Sequence, residues 1–449
     1  MVQPKGRALS PAAQISISLL EEIFGGIECR RFAVRLWDDT VWGQNPSEPL
    51  PASLVLRHPG ALRRVFLKPS EVNFAECYIH DDVDMEGDIA DFLSVGDILL
   101  NQKISLTKKA SLARHLLKLP VKDERDHTDH DGGRPKLFGV EHSMERDKKA
   151  VTHHYDLSNE FYRLWLDRNM VYSCAYFASP AEDLDSAQVR KLDFLCRKLR
   201  LQRGEKLLDI GCGWGGLIRH AVRNYGVEAL GITLSQPQAD LANERIHADG
   251  LADRCRVEML DYRDLNRPEG FDKIVSVGMV EHVGRDRMDE YFGTMYRLLK
   301  RGGAFLNHGI GDLSDRPLKK KKGFIRTYVF PDSDLPSLPE IFRTAEAHHF
   351  EGRDMESLRE HYALTLRHWV QRLEDRREEA ISEVGEATYR AWRLYMAGCA
   401  WWFSNGHISI YQSLFVKQAA NGESGVPLMR SDWYDARPTT LSLHSVAGG

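Results

Sequence analysis

The sequence predicts an α/β protein: a parallel sheet with helices on both faces, preceded by a small α+β domain. Three observations predict it. From about residue 206 to 312, short apolar runs alternate with helical patterns. One strand-to-helix junction, LLDIGCGWGG at Leu207–Gly216, is dense in glycine. A charged stretch almost free of apolar residues, Val121–Lys136, separates this region from what precedes it.

Residues 1–120 are the expected N-terminal domain, 121–137 a linker and 138–449 the main domain. Near the start, ISISLLEEIFGGI reads as a helix, and its few cations favour core packing over an interfacial position. RRFAVRLWDD and PASLVLRH contain short extended runs, and FAECYIHDDVDMEGDIADFLSVGDILL reads as a turn plus helix. In the main domain KLLDI is a strand and LIRHAVRNYG a helix. VEALGIT is a strand, after which Ser235 caps the helix QPQADLANERIHADG. RCRVEML and FDKIVSVGMV are strands, and RMDEYFGTMYRLLKRGG is a helix ending on glycines. AFLNHGIG is a further strand. ESLREHYALTLRHWVQRLEDRREEA has helical spacing, and HISIYQSLFVK supplies a final strand. Strand–helix alternation at this spacing calls for a parallel, helix-flanked sheet.

The 449 residues are 42% hydrophobic, enough for a sizeable core. The net charge of −4 does not suggest a nucleic-acid partner. No apolar run reaches the ~18 residues of a membrane span, and the N-terminus lacks a signal-peptide layout, so the expected location is cytoplasmic. Seven cysteines are scattered, odd in number and without a CxxC pair. That argues against a disulfide framework or a zinc cluster, so no metal is expected.

The glycine-rich turn lies at the carboxyl end of the first strand of the sheet, where open α/β folds bind ligands. Gly211 and Gly213 let backbone approach a ligand with no Cβ in the way, and Asp209 at the strand tip can accept hydrogen bonds. A dinucleotide site wants an acid at the end of the second strand. That place reads GITLSQPQ, with Thr233, Leu234 and Ser235, and there is no GxxxxGK[ST] loop anywhere. The pattern points away from NAD and ATP, towards a nucleoside without phosphates, such as S-adenosylmethionine.

From Asn159 to Lys417 at least, the chain resembles the cyclopropane-fatty-acyl-phospholipid synthase family. These S-adenosylmethionine-dependent enzymes include the mycolic acid cyclopropane synthases. The resemblance rests on HYDLSNEFYRLWLD, MVYSCAYF, LLDIGCGWGG, GITLSQPQ, DYRDL, SVGMVEHVG, FLNHGIG and YVFPDSDLPS, in that order. The N-terminal region is similar in size, and in YIHDDVDMEGDI, to the family's lipid-associated domain. The resemblance implies the Rossmann-like sheet of class I methyltransferases. It implies a cofactor site at Leu208–Gly216, Tyr172, Ser173, Thr233, Leu234 and Gln238, with Asp261 and Tyr262 near the adenine. It implies a bicarbonate ion held by residues matching Cys174, Glu281, His308, Ile310 and Tyr362. A second cysteine, once proposed as a nucleophile, matches Cys399.

The implied reaction adds a methylene across the cis double bond of a phospholipid acyl chain. Methyl transfer to the alkene leaves a carbocation, and the new methyl must then lose a proton for the ring to close. Bicarbonate is a weak base suited to so acidic a proton; Glu281 and His308 would orient it, and Tyr362 would add a hydroxyl. The site must be dry, and aromatics around Tyr172, Tyr176 and Phe177 would shield the cation. Other readings stand beside these. Glu281 can cap a helix or bind Arg287, His282 is structural or supporting, and Cys399 in GCAWWF reads equally as a small buried residue.

The substrate lies in a bilayer, so the protein is expected to dock reversibly at its inner face. Lys319–Lys322 would meet anionic head groups or form an ordinary solvated loop. A homodimer, the family's tendency, would join two weak contacts into one stronger one. Methyl or methylene branching of the acyl chain on the same scaffold is the nearest alternative to ring closure.

Overall fold

The computed structural model describes residues 8–25, 32–43, 52–87, 89, 92–93, 105–121, 142–155, 157–313 and 323–434. The run Lys319–Lys322, Cys29 and all of the expected linker beyond Val121 lie outside these residues. The chain divides into two compact units, each assembled from separate stretches. One takes residues 1–136, 320–331 and 373–402; the other takes 137–319, 332–372 and 403–449. Residues 320–331 and 373–402, expected within a continuous 138–449 domain, cluster with the N-terminal unit.

In the first unit a helix, Pro11–Phe24, starts at Ser10, whose hydroxyl accepts from the Ala13 amide. It buries Leu19, Leu20, Ile23 and Phe24, as the core-packing reading requires. Phe24 meets Phe32 edge-on, with ring centres 5.1 Å apart. Strands β1 (Phe32–Arg35), β2 (Val41–Trp42), β3 (Ala52–Leu56) and β4 (Val83–Gly87) form a sheet ordered β2-β1-β3-β4. The segment expected as turn plus helix is a helix, Glu71–Ile79, followed by β4. Asp81 takes a positive φ between them and ends the helix. Two buried arginines bind this corner from the Glu386–Ser404 helix. Arg390 donates to the carbonyls of Tyr78 and Val83, and Arg393 donates to the Tyr78 hydroxyl and the Met85 carbonyl.

The second unit is built on a seven-stranded sheet ordered β10-β11-β9-β8-β5-β6-β7. Its strands are β5 (Lys206–Ile210), β6 (Glu228–Thr233), β7 (Cys255–Met259), β8 (Phe271–Val277), β9 (Leu299–Asp312), β10 (Glu351–Ser357) and β11 (Ile408–Val416). β5 to β9 are parallel, and strand order reverses beside β5, with β6 and β7 on one side and β8 and β9 on the other. β11 and β10 continue the sheet antiparallel. Only β11 of these two was expected. β10, EGRDMES, is a charged, incompletely buried edge and carries no apolar run to announce it.

Alternation along the strands feeds two cores. Leu207, Val275, Leu306 and Leu414 face the helices Leu184–Lys198, Gly216–Tyr225 and Gln236–Ala248. Leu208, Ile274, Phe305 and Phe415 face Tyr291, Phe292 and Met295 of the Met288–Leu298 helix. This is the class I methyltransferase fold. The Met288–Leu298 helix does not end on glycine. The chain turns extended at Leu299 and runs directly into β9, with Gly302 (φ 78°) inside that strand.

Candidate active site

A cavity opens where strand order reverses. It lies at the carboxyl ends of β5, β6 and β8, the position that the twist and connectivity of such sheets leave open. All ten residues expected at a cofactor line it: Tyr172, Ser173, Asp209, Gly211, Gly213, Thr233, Leu234, Gln238, Asp261 and Tyr262. Gly211 and Gly213 have φ values of 76° and 54°, left-handed conformations that glycine adopts without cost. A Cβ on Gly213 would meet no atom within 4 Å and would project into open space.

The polar walls are prepared for a ligand. Asp209 is buried, and its Oδ1 has no hydrogen-bond partner among the described residues. Burial pushes its carboxyl above the usual range, against the pull of the Lys191 ammonium. The Thr233 hydroxyl donates to Gln238 Oε1 at 2.7 Å, which turns the amide nitrogen of Gln238 to other partners. Asp261 is held by Arg263 through two bonds of 2.9 and 2.7 Å, and Arg263 also reaches Asp147 at 3.1 Å.

A second cluster lies along β9 and the short Val280–Val283 helix. Glu281 Oε1 accepts from the Ile310 amide at 2.6 Å, while its buried Oε2 has no partner among the described residues. Burial pushes this carboxyl up to about 7. Arg287 pairs with Glu290 instead, so Glu281 is not the partner of that arginine. His308 is fully buried. Its Nδ1 lies 3.4 Å from the Gln412 amide, and its Nε2 has no partner among the described residues. Burial, and then the charges of Lys191 and Lys198, hold the ring well below its usual pKa, so it is neutral. Tyr362 packs on Phe403 and Trp369. Cys174 is buried, its thiol pushed up by burial, and the next amide, that of Ala175, donates to Thr365 Oγ1. None of Cys174, Glu281, His308, Ile310 and Tyr362 lines the cavity itself, but Val277–Met279 do, and the Gly278 amide donates to the His308 carbonyl at 2.8 Å.

Cys399 belongs to the other unit. Its thiol is buried and pushed up by that burial, the environment of a packed residue and not of a thiolate nucleophile. Tyr176 and Phe177 are also absent from the cavity wall: Tyr176 stacks on Phe194 and His361, and Phe177 on His368. The aromatic wall is instead Tyr155, Tyr172, Trp214 and Tyr262. His282, read from sequence as structural or supporting, is on the wall, its ring held down to about 4 by burial. The sequence reading missed Lys191 and Tyr155. Tyr155 stands next to the HYDLSNEFYRLWLD aspartate, and the motif itself was the available signal.

A family model described as mycolic acid cyclopropane synthetase matches residues 142–413. The chain belongs to this family. Its members are S-adenosylmethionine-dependent methyltransferases. A Pseudomonas putida protein named probable fatty acid methyltransferase is 40% identical over 404 residues, covering 89% of this chain and 95% of its own. The cyclopropane-fatty-acyl-phospholipid synthase of Escherichia coli K12 is 40% identical over 291 residues, covering 64% of this chain and 72% of its own. A solved mycolic acid cyclopropane synthase complexed with SAH and CTAB is 35% identical, with a TM-score of 0.56, over 60% of this chain and 97% of that one. Among the described residues no helix is long and apolar enough to cross a membrane.

Proposed function

We propose that the protein transfers a methylene from S-adenosylmethionine to the cis double bond of an unsaturated phospholipid acyl chain, closing a cyclopropane ring. The observation that carries this reading is the pair Glu281 and His308: two buried groups, each with one polar atom unpartnered among the described residues, beside a cavity suited to an adenosyl group. Buried polar atoms are ordinarily paired. A small oxyanion would pair both.

S-adenosylmethionine, when bound, supplies an electrophilic methyl group. That methyl would pass to the alkene, whose π pair would form the new C–C bond while the S–C bonding pair stayed with sulfur. A C–H of the new methyl then gives up its proton, and the electrons of that bond close the ring. The chain's part is to seat, shield and deprotonate. Asp209 Oδ1 and Gln238 Nε2 would meet polar groups of the amino-acid and ribose portions. Tyr155, Tyr172 and Trp214 exclude water and offer ring faces to positive charge. Glu281 and His308 would hold bicarbonate, which supplies a weak base at that place. A neutral His308 and a Glu281 carboxyl able to carry a proton near neutrality suit an anion better than two fixed charges would. The Ile310 amide is already committed to Glu281, so Ile310 acts through that carboxylate.

The substrate would be met at the inner membrane surface by a peripheral enzyme, with residues 1–120 as the lipid-associated part and two copies per assembly. The second reading is methyl or methylene branching of the acyl chain, favoured by the name of the Pseudomonas putida relative. Turnover of labelled cofactor on vesicles of cis-monounsaturated phospholipid tests the proposal: a ring product supports it, and a branched product supports the second reading.

A further inference from the structure

The Leu184–Lys198 helix carries Gln188 and Lys191, three residues apart and therefore on one face. Both are buried, with 0% and 1% exposure. Gln188 Nε2 donates to the carbonyls of Val171 and Ser173 at 3.2 and 2.8 Å. Lys191 Nζ donates to Ser173 Oγ at 2.8 Å. The helix thus grips the Val171–Ser173 segment by backbone and by side chain. Ser173, Lys191 and Asp209 all line the cavity.

Two features of this lysine are unusual. Its ammonium makes no ion pair within 4 Å among the described residues, although Asp167 and Asp209 are near enough for their charges to be felt. Asp167 is occupied elsewhere, accepting from the amides of Asn169 and Val171. A buried charge with only a neutral hydroxyl to bond is costly unless an anion joins it. Second, an ammonium can only donate, so Ser173 Oγ is the acceptor in their bond and its own proton is directed elsewhere. A hydroxyl polarised by a cation is a strong donor, and its best partner is an anionic oxygen.

The adenosine portion of S-adenosylmethionine carries no anion; its amino-acid portion carries one carboxylate. We propose that Lys191 is a positioning residue, holding Ser173 so that the Ser173 hydroxyl donates to the cofactor carboxylate while the lysine charge balances it. The inference rests on the reading that the cavity seats S-adenosylmethionine.

The test measures binding of S-adenosylmethionine and of its decarboxylated analogue, which differ by the carboxylate, to the full-length protein and to Lys191→Met and Ser173→Ala. A charged hydrogen bond predicts that the unaltered protein favours S-adenosylmethionine by about tenfold or more. Lys191→Met removes most of that preference and leaves the affinity for the analogue within about threefold. Ser173→Ala removes part of it, and the double variant discriminates no less than Lys191→Met alone. Equal weakening of both ligands by Lys191→Met overturns the proposal, as does an unaltered protein that does not discriminate. If Lys191→Met does not fold, Ser173→Ala decides: an unchanged preference overturns the proposal. Binding of neither ligand by the unaltered protein overturns the reading of the cavity itself.

Discussion

The Ile310 amide donates to Glu281 Oε1 at 2.6 Å, and the other oxygen of that carboxylate is buried without a partner among the described residues. One bond fixes the group and leaves the second oxygen for a further donor. Burial holds its pKa up to about 7, from an ordinary 4.5. Between those values the folded protein binds a proton that the unfolded chain has released. Its stability therefore falls as pH rises through this window, and the loss is complete above about 7.

Glu281→Gln keeps the acceptor for Ile310 and removes this loss. The variant should be more stable than the unaltered protein at about pH 8, by an amount on the order of 3 kcal/mol. The difference should shrink towards about pH 5. Urea midpoints at the two pH values check this, and a difference independent of pH would show that Glu281 is not held protonated by burial.

His308→Ala should lower turnover by about a hundredfold or more, the range of a misplaced proton acceptor, while S-adenosylhomocysteine binding stays within a few-fold. His308 does not line the cavity, which is the physical reason for the split. Isothermal calorimetry beside a turnover assay measures both quantities, and equal losses in the two would place His308 at the cofactor.

Gly213→Val should abolish cofactor binding, since its Cβ would enter open cavity space. Gly204→Val is the control. Gly204 also has a left-handed φ, of 83°, but lies on an exposed turn away from the cavity. It should cost roughly 1–2 kcal/mol of stability and leave binding intact. Loss of binding in both variants would trace the effect to backbone strain alone.

Cys399→Ala should retain turnover within a few-fold and lose some stability, because its thiol is packed and protonated. Activity on labelled cofactor and thermal melting separate the two effects; abolished turnover in a folded variant would restore the nucleophile.

Much of this site was legible in the sequence because its parts sit on strand tips. Short apolar-rich segments announce β5, β6, β8 and β9, and a strand end fixes where Asp209 and Thr233 stand. What was hidden depends on tertiary burial. Lys191 occurs in QVRKLDFLCRK, where a lysine reads as a solvated position; only packing of the Leu184–Lys198 helix against the sheet and the Val171–Ser173 segment buries it. Tyr176 and Phe177 follow the cofactor motif by a few residues, yet the chain turns them into stacks with His361 and His368. β10 escaped notice because an antiparallel edge strand needs no apolar face. The clustering of residues 373–402 with the N-terminal unit is a long-range choice that no local pattern encodes.

The central claim is tested most directly with S-adenosylmethionine carrying a fully deuterated methyl group, supplied with vesicles of cis-monounsaturated phospholipid. Mass spectrometry of the recovered acyl chains should find a saturated ring carbon bearing two deuterons, the third having been lost to the base beside Glu281 and His308. A methyl branch that retains all three deuterons, or no transfer to the lipid at all, would contradict the account.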